Sequence, residues 1–416
     1  MQNNMKKDYL WNTIGVFAQN AISPLLLIVI TRINGISISG LFSFAFSVSI
    51  LFWAIGLWGG RTYQVSDTKK EFSQRSYLTV RLLLAAVMIV GAVIFTVISG
   101  YDTEKTQIIL ALVVFKVIES IADVIYGVLQ IHGRLYIAGK SLLYKAVLGI
   151  GSFIAVDLVS GSILLASLAV VVINLVILFA YDIRHVKKNE DLRIERGKVF
   201  QYLKEASVIL KRCFPVFAVS FLAMLSINIP RYFIDSYHPE EIGYFGIIVM
   251  PVTLIALVIS FILQPNVVEL ATLYNGRKYD DFKLVVRKLL RITLLVGGVI
   301  VLTTALLGVQ LLELAFGVGF ETYRWPLLVV ILGGIANALV FILINILTIM
   351  RKIRSQMYVL LVSNIGLLIV SVVCSSFYGL PTGVSLFAAV NIVQFAALYM
   401  AYISRLKNGR INAKEA

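Results

Sequence analysis

The stretch "VVFKVIESIADVIYGVLQ", residues 113–130, has the length and apolarity of a membrane-spanning helix, yet Lys116, Glu119 and Asp123 stand in its middle. An ionisable side chain at the centre of a bilayer costs about 2.5–3.5 kcal/mol on insertion scales. What these three groups mean depends on whether the chain around them lies in a membrane, and its composition answers that. Only 14% of its residues are charged and 59% are hydrophobic, against about 25% charged in soluble domains. Mean hydropathy is +0.90. The chain reads as an all-α integral membrane protein, and soluble classes are excluded.

A transmembrane helix needs about 20 mostly apolar residues. That length predicts twelve spans, near 11–31, 38–58, 79–99, 107–130, 142–160 and 163–183, then 213–235, 242–264, 288–308, 325–350, 357–378 and 382–404. Lysine and arginine concentrate in cytoplasmic loops, which tests the count independently. With the N-terminus inside, 32 of the 37 basic residues fall on the cytoplasmic side, Arg81 at the end of segment 59–81 and Lys145 at the end of 131–145 among them. Only Arg32, Lys105 and Arg324 fall outside, while Lys116 and Arg231 lie within spans. Both termini are therefore expected in the cytoplasm. The net charge of +15 is this bias, helped by attraction to anionic membrane lipids, and it requires no nucleic acid partner. The first span lacks a small-residue cleavage site and reads as an uncleaved helix. Cys213 and Cys374 sit in or beside different spans, so no disulfide framework is expected.

The longest cytoplasmic connection follows span six and divides the chain. Residues 1–183 form one expected six-helix bundle, 184–212 a linker with an amphipathic helix, 213–404 a second six-helix bundle, and 405–416 a cytoplasmic tail. "ISGLFSF" (38–44) opens span two and "EIGYFGI" (241–247) opens span eight, an echo between the halves. Pro24 interrupts span one, and Pro215 and Pro230 interrupt its counterpart, span seven. Broken helices at matching places in two repeats point toward a transporter's binding site.

"GRLYIAGKS" (133–141) imitates a phosphate-binding loop, but five residues separate Gly133 from Gly139 where the motif needs four, and no strand precedes it. His132, His185 and His238 lie in separate loops and offer no metal cluster. No nucleophile–base arrangement is present, so neither an enzyme nor a cofactor is expected. Uphill transport would have to draw on a proton or sodium gradient, or on a partner.

Lys116, Glu119, Asp123, Tyr126 and Gln130 are spaced three or four apart and share one helical stripe. Asn228, Arg231 and Asp235 do the same on span seven, with Tyr232 adjacent, and Asn12, Gln19 and Ser23 form an uncharged stripe on span one. Groups of this kind must face each other or water. One reading makes Lys116–Glu119 and Arg231–Asp235 self-neutralising pairs that hold helices together. The other places Lys116 and Arg231 in a central hydrated cavity where they attract an anionic group such as a lipid pyrophosphate. Glu119 and Asp123 are like-charged and four apart, so one lysine cannot neutralise both, and one acid is expected to be able to hold a proton. Arg32 and Arg61 flank spans one and two and would mark two mouths of the same passage, unless they merely snorkel at the interface.

"FKVIESIADVIYGVLQIHGRLYIAGKS" (115–141), "INIPRYFIDSYHPEEIGYFGIIVMP" (227–251) and "GRTYQVSD" (60–67) resemble signature stretches of the Wzx-type polysaccharide repeat-unit flippases. These flippases belong to a superfamily that includes multidrug exporters and peptidoglycan-precursor flippases. The resemblance implies twelve helices in two six-helix bundles around a central cavity in the bacterial cytoplasmic (inner) membrane. It implies alternating-access export of an undecaprenyl-pyrophosphate-linked oligosaccharide for capsule, exopolysaccharide or O-antigen assembly, with a polysaccharide polymerase and chain-length machinery as partners. Lys116 and Arg231 match the cationic cavity positions, with Arg32 and Arg61 as lesser candidates and Asn228 and Tyr232 beside Arg231. Glu119, Asp123, Asp235 and Gln19 complete the polar set. A cation-coupled multidrug exporter would share the architecture. A membrane-embedded polymerase or ligase would need a larger external loop than any found here.

Overall fold

A computed structural model describes residues 2–187 and 192–414. Residues 188–191 of the expected linker and 415–416 of the expected tail lie outside the described residues. The fold divides into unit 1, Met1–Phe217, and unit 2, Ala218–Ala416.

Unit 1 begins with α1 (Gln2–Leu57), an unbroken helical run except at Gly35, whose φ of 86° and ψ of 176° only glycine adopts readily. A straight helix would separate Thr31 from Ser39 by about 12 Å, yet the Thr31 hydroxyl donates to the Ser39 oxygen at 2.7 Å. The chain therefore doubles back at Gly35 into two arms. A short α2 (Gly60–Ser66) follows the left-handed Gly59. Next come α3 (Gln74–Ser99), capped by Ser73, and α4 (Thr103–Ile131), capped by Asp102. After them run α5 (Leu135–Ser160) and α6 (Ile163–Ile177), the latter continuing through a π-helical turn, Leu178–Ile183, into α7 (Arg184–Val186).

The amphipathic segment of the expected 184–212 linker runs on without a break into the next span. It is the first part of one continuous helix, α8 (Val199–Tyr237), whose residues up to Phe217 belong to unit 1. Trp58 fastens it there: its indole Nε1 donates to the Leu210 carbonyl at 2.9 Å, and its ring stacks on Phe217 at 3.7 Å. Ala206, Ile209 and Cys213 complete this seam, packed with Phe72, Tyr77, Val80 and Leu84.

Unit 2 continues α8 and adds α9 (Ile242–Leu263), α10 (Val267–Asn275), α11 (Tyr279–Phe316), α12 (Arg324–Ile349), α13 (Ile353–Val373) and α14 (Leu380–Lys414). The two units share an internal plan. In unit 1, α4 is wrapped by α1, α3 and α6, and α5 packs on α6; in unit 2, α12 is wrapped by α9, α11 and α14, and α13 packs on α14.

Among the described residues, ten helices are long and apolar enough to cross a membrane, the first being the folded-back run Lys7–Ser66. α4 is 29 residues long and carries three charges in its middle; it is not among the ten. Outer faces of the helices suit lipid. Leu82, Val87, Val90, Val93, Val97 and Ile98 on α3, and Leu295, Val299, Leu302 and Leu306 on α11, are exposed. Water would not tolerate so much open apolar surface.

Candidate functional site

α4 is buried along nearly its whole length, so its polar stripe must find partners inside unit 1. Lys116 and Glu119, each 6% exposed, are joined at 2.6 Å. The second oxygen of Glu119 accepts from Gln19 Nε2 of α1 at 2.5 Å. The Lys116 ammonium is also surrounded by three aromatic rings, Phe46 at 5.0 Å, Trp53 at 5.2 Å and Phe115 at 4.6 Å. Such rings offer their negative faces to a cation. One turn on, Asp123 receives Arg61 at 3.3 Å on one oxygen and Arg81 at 2.7 Å on the other. Arg61 also donates to Gln130 at 3.1 Å and lies 5.9 Å from the centre of the Tyr126 ring. Tyr126 exchanges a hydrogen bond with Ser141 at 2.9 Å and accepts from Lys145 at 2.9 Å. Lys145 pairs with Asp182 at 2.6 Å.

These contacts settle several expectations. The pair Lys116–Glu119 forms, and Gln19 joins it. Asp123 is not the acid left over; Arg81, which the charge count assigned to the cytoplasm, is 1% exposed and neutralises it. Lys145 was counted in the same way and is 3% exposed. Arg61 is drawn onto the α4 stripe instead of standing alone as a mouth residue, whereas Arg32 is exposed beside the fold-back at Gly35. Asp182 escaped the sequence reading altogether. The signal available for Arg81 and Lys145 was their depth: each is followed immediately by a long apolar run, "LLLAAVMIV" or "AVLGIGSFIAV". The π-helical turn that presents Asp182 has no comparable signature.

"GRLYIAGKS" is consumed by packing. Gly133 takes a φ of 63° in the turn after α4. Gly139 meets the α1 backbone at Trp11 and Asn12, and Gly15 meets Gly139 in turn, so closely that neither position has room for a Cβ. Lys140 lies over the Trp11 ring at 4.8 Å.

In unit 2 the buried charges among the described residues sit on α8. Arg231 is 8% exposed and lies 5.5 Å from the centre of the Phe245 ring, with Asp235 one turn further and 7% exposed. Tyr232 is half-buried, and the Asn228 amide donates to the Met224 carbonyl at 2.8 Å. The neighbouring polar groups are uncharged and were missed in the sequence. Ser226 donates to Asn364 at 3.1 Å, and Gln394 donates to Ser226 and to Ser363, both at 2.9 Å, tying α8 to α13 and α14. On the central α12, Asn337 donates to Asn391 at 2.9 Å. The central helix of unit 1 is thus charged in its middle, whereas that of unit 2 carries the amides Asn337 and Asn345 there and has its one charge, Arg324, at its first residue.

Comparison with known proteins gives no matching family model. Over 395 residues the chain is 25% identical to the capsular polysaccharide biosynthesis protein CapF of Staphylococcus aureus, a match covering 93% of this chain and 96% of that protein. Among solved structures, the lipid II flippase MurJ in an inward closed conformation aligns with a TM-score of 0.70 at 11% identity, over 97% of this chain and 90% of that one. An inward-facing multidrug resistance MATE family transporter of the MOP superfamily aligns at 0.62 and 13%, over 97% and 96%. The bent form of the Vibrio cholerae MATE transporter VcmN aligns at 0.61 and 13%, over 99% and 98%.

The chain has the fold of these transporters.

It is a multi-pass membrane protein whose fold is similar to that of solved transporters and flippases. The ion-paired stripe lies on α4, the helix wrapped by the others of unit 1, and Arg231 lies on the part of α8 that belongs to unit 2.

Proposed function

We propose that this chain is a flippase that moves undecaprenyl-pyrophosphate-linked oligosaccharide repeat units across the bacterial cytoplasmic membrane by alternating access, chiefly for capsule assembly. The observation that carries this reading is the similarity to a capsular polysaccharide biosynthesis protein along almost the full length of both chains. The ten helices apolar enough to cross a membrane support it; in this reading the folded-back run Lys7–Ser66 counts as two crossings and α4 as one more, for twelve in all. In this reading both termini lie in the cytoplasm, which the lysine and arginine asymmetry favours.

Lys116 and Arg231 are the residues we assign to the pyrophosphate, with Arg61, Arg32, Asn228 and Tyr232 assisting. Lys116 is already neutralised by Glu119, which shapes the mechanism. A phosphate oxygen arriving at Lys116 would exchange with the Glu119 carboxylate, one anion replacing another, so the ammonium is never left bare in an apolar cage. The displaced Glu119, still held by Gln19, is then free to take a proton or a sodium ion, which would couple export to an ion gradient. Asp123 and Asp235 hold the neighbouring arginines in position. Polymerase and chain-length proteins would receive the exported unit.

Expression in a capsule strain lacking its flippase tests this. Wild-type chain should relieve the accumulation of lipid-linked oligosaccharide on the inner face, and Lys116→Ala or Arg231→Ala should not, although both insert. Relief by a double Ala variant would sink the assignment. The likeness to multidrug transporters favours a second reading as a drug exporter. Raised drug resistance on expression, without relief of the oligosaccharide defect, would select it.

A further inference from the structure

The two units differ in how their basic residues are matched. Where α8 docks on unit 1, Arg75 and Lys198 pair with Glu195, and Arg212 pairs with Glu71. In unit 2, Lys283, Arg287, Lys288 and Arg291 near the start of α11 and Arg405 on α14 have no ion pair among the described residues. The acids nearest to them in the sequence, Glu269, Asp280 and Asp281, stand exposed on α10 and in the first turn of α11. Neither α13 nor α14 contains an acidic residue.

Two buried donors lie in the same place. Tyr402 is 2% exposed, and its ring lies 6.5 Å from that of Phe282 on α11. Its hydroxyl, and Nε of Arg405 one turn further on, are both buried with no hydrogen-bond partner among the described residues. The Arg287 guanidinium of α11 acts on that hydroxyl electrostatically. A buried donor without an acceptor leaves its desolvation penalty uncompensated. One phosphate satisfies both, because its oxygens accept from a hydroxyl and from an arginine fork together.

The surroundings say which kind of phosphate. On α11, Lys288 and Arg291 continue at helical spacing into Leu295, Val299, Leu302 and Leu306, the exposed stripe that suits lipid. On α14, an open cleft of about 460 Å³ is lined by Tyr399, Met400, Ile403 and Ser404. The donors therefore lie where a lipid-facing surface gives way to basic residues, the level of phospholipid headgroups. We propose that the meeting of α11 and α14 in unit 2 is a binding site for an anionic phospholipid. Its phosphate accepts from Tyr402, Arg405 and Arg287, and an acyl chain lies along Tyr399, Met400 and Ile403. A zwitterionic lipid brings a cation of its own into the basic cluster and is disfavoured. The site stands whether or not the chain is a flippase.

Thermal melting of the full-length protein in detergent, titrated with phosphatidylglycerol, tests the site; phosphatidylcholine with the same acyl chains and inorganic phosphate are the other arms. At about a hundredfold excess over its dissociation constant, a ligand of the folded state should raise the wild-type melting temperature by about 5–10 °C. Only phosphatidylglycerol should do so. Tyr402→Phe keeps the ring against Phe282 and removes an unpartnered hydroxyl, so without lipid it should melt no lower than wild type. Its affinity for phosphatidylglycerol, and that of Arg405→Gln, should be about tenfold weaker. Lys352→Gln removes an equal charge from the turn between α12 and α13 and should bind as wild type does. Equal shifts with the two lipids, undiminished affinity in Tyr402→Phe and Arg405→Gln, an equal loss in Lys352→Gln, or a shift reproduced by inorganic phosphate alone would each overturn the proposal.

Discussion

Replacing Glu119 by Leu, Lys116 by Leu, and then both together separates the two things the α4 pair does. The groups meet at 2.6 Å with 7% and 4% of their side chains exposed, so removing one leaves an uncompensated buried charge, typically about 3–5 kcal/mol. The surroundings make the two singles unequal. In Glu119→Leu the remaining ammonium keeps three aromatic faces, worth about 2 kcal/mol when desolvated, and the loss should fall near 3 kcal/mol. In Lys116→Leu the remaining carboxylate keeps only the Gln19 amide and faces negative ring surfaces, so the loss should approach 5 kcal/mol. The double variant should sit near wild type or above it, since buried pairs are often replaced by apolar residues without cost. At about 2–4 °C per kcal/mol for a unit of this size, the melting temperature in detergent should fall by about 6–12 °C, about 10–20 °C, and hardly at all. All three variants should fail to export oligosaccharide. Losses that simply add in the double variant, or singles that melt like wild type, would refute this account of the pair.

Asp123→Ala should destabilise more than Arg61→Ala, because it strands Arg81 at 1% side-chain exposure whereas Arg61 is 29% exposed; thermal melting of the two variants checks the order. Gly35→Ala forces a Cβ into a backbone region costing about 1–3 kcal/mol, and should lower the yield of folded protein although the space around Gly35 is open. Gly139→Val should be worse, because its side chain would collide with the α1 backbone at Trp11; size-exclusion profiles report both. The Lys198 hydrogen bond, joined by Arg75, holds the exposed Glu195 carboxyl below its usual range. Its small contribution to docking the connection should persist above the ordinary glutamate range and vanish as the pH falls through the lowered value, seen as faster proteolysis between α7 and α8.

The membrane class and the α4 stripe were legible because both are local. Hydropathy accumulates along a helix, and Lys116, Glu119 and Asp123 repeat at helical spacing whatever they touch. The fold-back at Gly35 was legible only as a gap between apolar runs, since the deciding contact, Thr31 to Ser39, depends on the glycine's backbone. Partners from other helices were not legible. Nothing near Arg81 in the sequence announces Asp123, 42 residues away, and nothing near Lys145 announces Asp182. Asn34 and Asp157, 123 residues apart, look in the sequence like an ordinary turn amide and an acid near a helix end. The paired basic residues were mistaken for loop charges because position relative to an apolar run says how deep a side chain sits only after the helix ends are known.

Purified protein in liposomes, with a fluorescent oligosaccharide on undecaprenyl pyrophosphate, tests the central claim most directly. A membrane-impermeant quencher reads which leaflet holds the label. The account predicts rapid equilibration between leaflets with wild-type chain, and rates no faster than empty liposomes with Lys116→Ala or Arg231→Ala. Equal rates in wild-type and empty liposomes, or undiminished movement in both variants, would contradict it.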